Sequence, residues 1–355
     1  MMTQQKNLQL IQMLRGVASI LVVLYHITVN CFEITGQTFL FGIFNFGGSG
    51  VDIFFVLSGF IIAYANVNIL AKPAATGTFL KRRFVRIFPI YWIIITCFLL
   101  LQLLLPSFYN TTFDTGFNNI VQTYLLLPGH VMLNGVSWSL TNELFFYLLF
   151  TLAILIPGKK ISFWLMVSYF TLLIVLALTN QPAMNRNAYT EILVFPMNIE
   201  FFLGVFIVLL VNHIPKNQSY PILIAGILLF VGGAFLNNND VAVVSSSSNP
   251  ALNRVLLFGI PSFLVILGLV KMELSRTVKM HNLFLKLGDA SYSIYLIHLP
   301  IVVAFFKLLV KFNITNSVVL YLLTFFLLIM VCAGGIYIYQ YVEKPLIKTL
   351  NKLLL

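Results

Sequence analysis

Residues 51–70 read VDIFFVLSGFIIAYANVNIL, and Asp52 is the only side chain among them that is charged at neutral pH. A helix rising about 1.5 Å per residue covers roughly 30 Å over that length, the thickness of the hydrocarbon core of a bilayer. The stretch therefore reads as a membrane span, and the composition extends that reading to the whole chain. Of 355 residues, 60% are hydrophobic and 9% charged, against about 25% charged in an ordinary soluble domain. With a mean hydropathy of +0.97, a soluble core could not hide the apolar surface, so a soluble globular protein is excluded.

Outward from this stretch, hydropathy marks nine further spans, at 11–31, 88–106, 138–156, 162–178, 192–211, 220–236, 255–272, 291–310 and 318–339. An apolar piece at 120–127, closed by Pro128-Gly129, is too short to cross and is expected to lie at the interface or re-enter. With the N-terminus inside, every Lys and Arg except Arg186, Arg254, Lys307 and Lys311 falls at a cytoplasmic end, as the positive-inside rule requires. The expectation is an all-α polytopic membrane protein of about ten transmembrane helices with both termini cytoplasmic. Residues 107–135 and 245–250 then lie outside. The net charge of +11, which in a soluble chain would suggest nucleic acid, is read as topology, and no nucleic-acid partner is expected. The chain is expected to be a single integral-membrane domain, 1–355, without an appended soluble domain. It is expected to lack a cleavable signal, because the run after Lys6 passes signal length and contains Arg15. No inverted repeat of the transporter kind is evident. Cys31, Cys97 and Cys332 lie in or beside apolar runs, show no metal or redox spacing, and read as packed thiols, with no metal site.

Polar residues within spans are costly, so each is a candidate for function. Arg15 and His26 are eleven positions apart, about 20° past three full turns and roughly 16 Å along one helix face. One face thus carries a cation near the cytoplasm and an imidazole deep in the bilayer. The competing reading is a topological anchor and a packing histidine. Asp52 opens the second span from the outside and Glu143 lies about a turn and a half into the fourth, at depths His26 can reach, and either could orient its imidazole. Asp52 also reads as an N-cap after Gly47-Gly48-Ser49-Gly50. Glu200 in the sixth span is a third acid, better suited to a structural pairing.

Lys81, Arg82, Arg83 and Arg86, interleaved with Phe84, Phe88 and Tyr91, crowd the mouth of the third span. They serve topology, yet arginine also suits phosphate recognition, whether on a cytosolic nucleotide or coenzyme A or on anionic lipid headgroups. Ser291, Tyr295 and His298 share a helix face by i, i+4, i+7 spacing and must face a bundle interior, as packing or as site. His213 and His281 fall in cytoplasmic loops and His130, beside Asn134, in the outer one.

In these residues the sequence resembles the membrane-bound acyltransferase 3 family of bacterial and animal acyltransferases. Leu14-Arg15-Gly16-Val17-Ala18 with His26 resembles its R-x10-H motif, and the run from Gly50 to Phe60 resembles its second-span signature almost letter for letter. Arg82-Arg83-Phe84-Val85-Arg86-Ile87-Phe88-Pro89 resembles the arginine motif. Trp138-Ser139-Leu140 followed by Glu143 and Phe146-Tyr147, the run from Ser291 to His298, and Glu343-Lys344-Pro345 resemble further blocks in family order.

The resemblance implies a cytosolic acyl-CoA donor, acetyl-CoA in the simplest case, and transfer of the acyl group to a hydroxyl of a surface or exopolysaccharide carbohydrate in a bacterial plasma membrane. Carried over, His26 is the catalytic histidine with Asp52 and Glu143 in support, and Arg15, Arg82, Arg83 and Arg86 serve the coenzyme A side. Ser58, Trp138, Tyr295 and His298 are candidate substrate contacts. The short tails resemble those of the exopolysaccharide-type O-acetyltransferases, and membership of that subgroup is the expectation. A thioester donor is already activated, so the chemistry needs a base for a poorly acidic sugar hydroxyl, and a histidine held by a carboxylate suits that task. Direct attack and an acyl-enzyme both remain open. The competing class is a proton-coupled transporter or flippase of a glycan or lipid-linked precursor, in which the same residues would relay protons.

Overall fold

The computed structural model describes residues 8–105, 113–129, 131–179, 187–239, 250–314 and 316–354. Ten helices among the described residues are long and apolar enough to cross a membrane, one for each expected span. They are built from α1 (Gln9–Thr35), α2 (Gly50–Asn66), α3 (Thr76–Leu104), α5 (Trp138–Leu155), α6 (Lys159–Leu178), α7 (Ala188–Val194) leading into α8 (Asn198–Leu210), α9 (Ser219–Asn239), α10 (Ile260–Ser275), α12 (Ser291–Lys311) and α13 (Ser317–Ile338). Shorter helices are α4 (Phe117–Leu125), α11 (Asn282–Asp289) and α14 (Lys344–Leu354).

Three boundaries depart from the hydropathy reading. The third helix starts at Thr76 instead of near residue 88, because four cations lower local hydropathy without lowering helix propensity. The arginine cluster is therefore helical. The tenth continues through a π-turn, Tyr339–Glu343, into the amphipathic α14. A second π-turn, Val255–Gly259, precedes α10. The piece expected at 120–127 is the nine-residue α4, ended by Leu126 in the left-handed region (φ 53°). His130, Arg186, residues 107–112 and most of 245–250 lie outside the described residues. None of the three cysteines is disulfide-bonded, and Cys97 is exposed instead of packed.

The chain divides into two compact units. The first comprises Met1–Ala18, Ser49–Phe79 and Glu143–Gly288; the second comprises Ser19–Gly48, Leu80–Asn142 and Asp289–Leu355. In the first, α2 and α8 approach through a reciprocal glycine pair. A Cβ on Gly59 would lie 1.9 Å from the Phe201 carbonyl oxygen, and one on Gly204 would lie 2.0 Å from that of Val56. Hydrocarbon gives helices no hydrophobic reason to associate, so such backbone contact supplies the packing. Phe201 is sandwiched beside it, stacked on Phe55 (4.6 Å) and Phe146 (4.5 Å).

In the second unit, α12 packs on α13, where Ile294 fills the space a Cβ on Gly335 would need. Pro300 inside α12 has no N–H to give the carbonyl of Leu296, and the Asn134 side-chain amide donates to that oxygen instead at 2.9 Å. The end of α4 is fixed in the same unit by Tyr91 Oη donating to the Thr123 carbonyl (2.8 Å) and Trp92 Nε1 donating to that of Tyr124 (2.9 Å).

The glycine contact yields a prediction. Gly59→Ala forces α2 from α8 and should cost about 1–3 kcal/mol, the usual penalty of overpacking. Gly232→Ala, where a Cβ meets nothing within 4 Å, should be close to neutral. Thermal unfolding of the detergent-solubilised protein, followed by size-exclusion fluorescence, should show several degrees lost for the first only. Equal melting of both variants contradicts the packing role.

Candidate functional site

His26 lies on α1 and His298 on α12, both in the second unit. Their rings meet with His298 Nε2 3.2 Å from His26 Nδ1. Each ring also faces a carbonyl of its own helix: His26 Nδ1 is 2.9 Å from the Val22 oxygen and His298 Nδ1 is 2.7 Å from that of Tyr295. A carbonyl oxygen only accepts, so both Nδ1 atoms carry protons. His298 Nε2 is then a lone pair, which receives the His26 Nδ1–H shared with Val22. The remaining nitrogen, His26 Nε2, is left with its lone pair exposed and forms no hydrogen bond among the described residues. Backbone and a second histidine thus favour the tautomer in which Nε2 keeps its lone pair.

His298 is fully buried, and both of its nitrogens are committed. Tyr295 is likewise interior: its hydroxyl donates to the Val136 carbonyl (3.0 Å) and meets Ser139 Oγ at 2.7 Å. Both side chains, expected as substrate contacts, are engaged in hydrogen bonds within the second unit. Trp138 opens α5, and its carbonyl accepts from Asn142 Nδ2 at 2.9 Å.

The acidic candidates lie in the first unit. Asp52 is fully buried, and Arg254 Nε and Nη2 donate to it in a bidentate fork at 2.8 to 3.1 Å. Glu200 lies against this pair, fully buried, with its carboxyl group facing that of Asp52. Glu143 is half-buried, and its Oε1 accepts from Ser58 Oγ (3.0 Å) and from Tyr147 Oη (2.5 Å). With both hydroxyls on one oxygen, Oε2 stays available as an acceptor. Ser58 is thereby placed on Glu143.

The arginine motif divides by environment. Arg82 is exposed and Arg83 half-buried on α3. Arg86 Nη1 is 2.8 Å from Oε1 of Glu343, a fully buried carboxylate whose Oε2 accepts from Ser293 Oγ at 2.6 Å. The Arg86 guanidinium also stands 5.6 Å from the centre of the Tyr292 ring. Arg15 is half-buried, with Nη1 3.3 Å from Gln12 Oε1. In the first unit, Glu273 caps α1 by accepting from the backbone N–H groups of Gln9 and Leu10. No group of three or more His, Cys, Asp or Glu side chains is arranged to hold a metal ion among the described residues. Sequence reasoning missed Arg254, Glu343 and Glu273 as partners, since each lies more than 200 residues from the group it meets. A charge count held the only signal: Asp52 and Arg254 both fall at outer ends of spans.

Fold and clusters together define a multi-pass membrane protein that holds ionisable groups inside its spans. The chain belongs to the acyltransferase 3 family and is a membrane acyltransferase, the family's acyltransferase domain matching residues 9–339. It is similar to the exopolysaccharide production protein ExoZ of Rhizobium meliloti, 26% identical over 72% of this chain and 76% of that protein. It is also similar to the acyltransferase MdmB of Streptomyces mycarofaciens, 33% identical over 39% of this chain and 37% of that protein. No solved structure matches the chain.

The Arg86–Glu343 pair supports a prediction. Arg86→Ala leaves Glu343 charged and buried without its cation, which should cost about 3–5 kcal/mol. Thermal melts should show a large loss for Arg86→Ala, little for Arg82→Ala, and recovery when Glu343→Gln is added to Arg86→Ala. Equal stability of the two arginine variants would remove the structural role of Arg86.

Proposed function

We propose that this acyltransferase moves an acetyl or similar short acyl group from cytosolic acyl-CoA to a hydroxyl of a surface or exopolysaccharide carbohydrate, in a bacterial plasma membrane with both termini cytoplasmic. The observation that carries this reading is the favoured His26 tautomer, with Nε2 held out as a base. Nε2 takes the proton of the acceptor hydroxyl as its oxygen forms a bond to the thioester carbonyl carbon. Collapse of the tetrahedral adduct breaks the C–S bond, and the imidazolium returns the proton to the departing thiolate. His298 acts as a positioning residue: as the positive ring forms, its Nε2 lone pair faces the Nδ1–H, and the Val22 carbonyl does the same. Asp52 and Glu143 are kept as the acidic groups of this chemistry, with Ser58 and Trp138 on the substrate side.

The donor end is assigned to Arg15, Arg82 and Arg83, where guanidinium forks match coenzyme A phosphates. Arg86, its charge engaged by Glu343, orients the helix that carries the other two. The carbohydrate acceptor is supported by similarity to a protein named for exopolysaccharide production.

Four substitutions separate these roles by their kinetics. His26→Ala should lower kcat about 10²–10⁴-fold, as loss of a general base does. His298→Leu should lower kcat less, with KM for acyl-CoA unchanged, and His298→Gln, which restores an acceptor, should recover part of it. Arg82→Ala should show the opposite signature, a raised KM with kcat nearly intact, because ground-state binding is what it removes. Steady-state assays in nanodiscs with acetyl-CoA read all four. Wild-type turnover by His26→Ala would sink the proposal.

A further inference from the structure

The first unit contains an apolar slot of about 390 Å³ between α2, α5, α6 and α8. Ala63, Phe150, Val205 and Phe206 contribute to its walls. The volume falls within the roughly 300–1,000 Å³ typical of small-molecule sites. Ser162 supplies the hydroxyl of the walls, and it is already donated to the Ala153 carbonyl at 3.0 Å. With so few hydrogen-bonding groups available, the slot suits hydrocarbon.

Its lining also includes Lys159 and Lys160, the first two residues of α6, both exposed. Cations in a first turn stand against the helix dipole. The turn contains no acidic residue and Gly158 offers no side-chain cap, so α6 itself supplies no counter-charge there. Trp164, exposed about one turn further on, is a residue that favours the level of lipid headgroups. Among the spans, α6 has the smallest share of its apolar window buried, so the slot adjoins a surface that lipid covers. A hydrocarbon chain that enters sideways from the bilayer, with an anion at its end, complements every part of this site.

We propose that the slot binds one acyl chain of an anionic phospholipid, whose phosphate rests on Lys159 and Lys160. The lipid wedges α6 against α2 and α8 and is a structural component of the protein in its membrane.

Native mass spectrometry of the full chain, released from micelles containing equal phosphatidylglycerol and phosphatidylcholine of identical chains, tests this. Wild type should retain phosphatidylglycerol in preference, by up to about 30-fold, the factor that two lysines at about 1 kcal/mol each supply. Lys159→Gln with Lys160→Gln should bring the ratio near one while lipid is still retained. Val205→Trp, which fills the slot and spares the lysines, should abolish retention of both lipids. A wild-type ratio near one, or a preference that persists in the lysine variant, would overturn the site. Displacement of phosphatidylglycerol by stoichiometric palmitoyl-CoA would also overturn it, by making the slot a thioester site.

Discussion

Hydrocarbon offers no hydrogen-bond partner, and every polar group the sequence places in a span must find one inside the protein. That constraint accounts for most of the polar geometry observed. Arg254 answers Asp52 with two guanidinium nitrogens, and Arg86 and Ser293 divide the two oxygens of Glu343 between them. The carbonyl that Pro300 leaves open on Leu296 receives the Asn134 amide. The same accounting exposes its exceptions. They include His26 Nε2 and Glu143 Oε2, which form no hydrogen bond among the described residues. In a membrane such exceptions are where chemistry is to be sought.

Positioning of the imidazole follows from the same rule. A histidine one helical turn above a carbonyl can satisfy its Nδ1 within its own helix, as both His26 and His298 do, and that choice leaves Nε2 to act elsewhere. His298 spends its lone pair on His26, and His26 keeps its own. Two residues beyond His298, the proline interrupts the ladder of α12, and Asn134 closes the gap, so the backbone behind the pair is pinned by a side chain from another element. Glu143 shows the complementary pattern: two hydroxyls on one oxygen hold the carboxylate in place and leave the other available.

The spans were legible because twenty apolar residues in a row are hard to misread. The start of α3 was not, since Lys81, Arg82, Arg83 and Arg86 look like a loop by hydropathy while being good helix formers. Candidate groups were legible one by one, because an ionisable residue in a span stands out. Their pairing was not: 272 residues separate His298 from His26 and 202 separate Arg254 from Asp52. No local period encodes such contacts. The sequence reading gave His26 a carboxylate to lean on and did not foresee the imidazole and the carbonyl that stand at its Nδ1. It also grouped three arginines of the third helix that the structure separates, one by one, into an exposed, a half-buried and an ion-paired side chain.

The account rests on which nitrogen of His26 carries its proton, and ¹⁵N NMR of histidine-labelled protein in nanodiscs reads that directly, with His26→Gln identifying the resonance among the five histidines. At a pH where the ring is neutral, His26 should show a protonated Nδ1 and an unprotonated Nε2. The opposite tautomer, with the proton on Nε2, would contradict the assignment of that atom as the base.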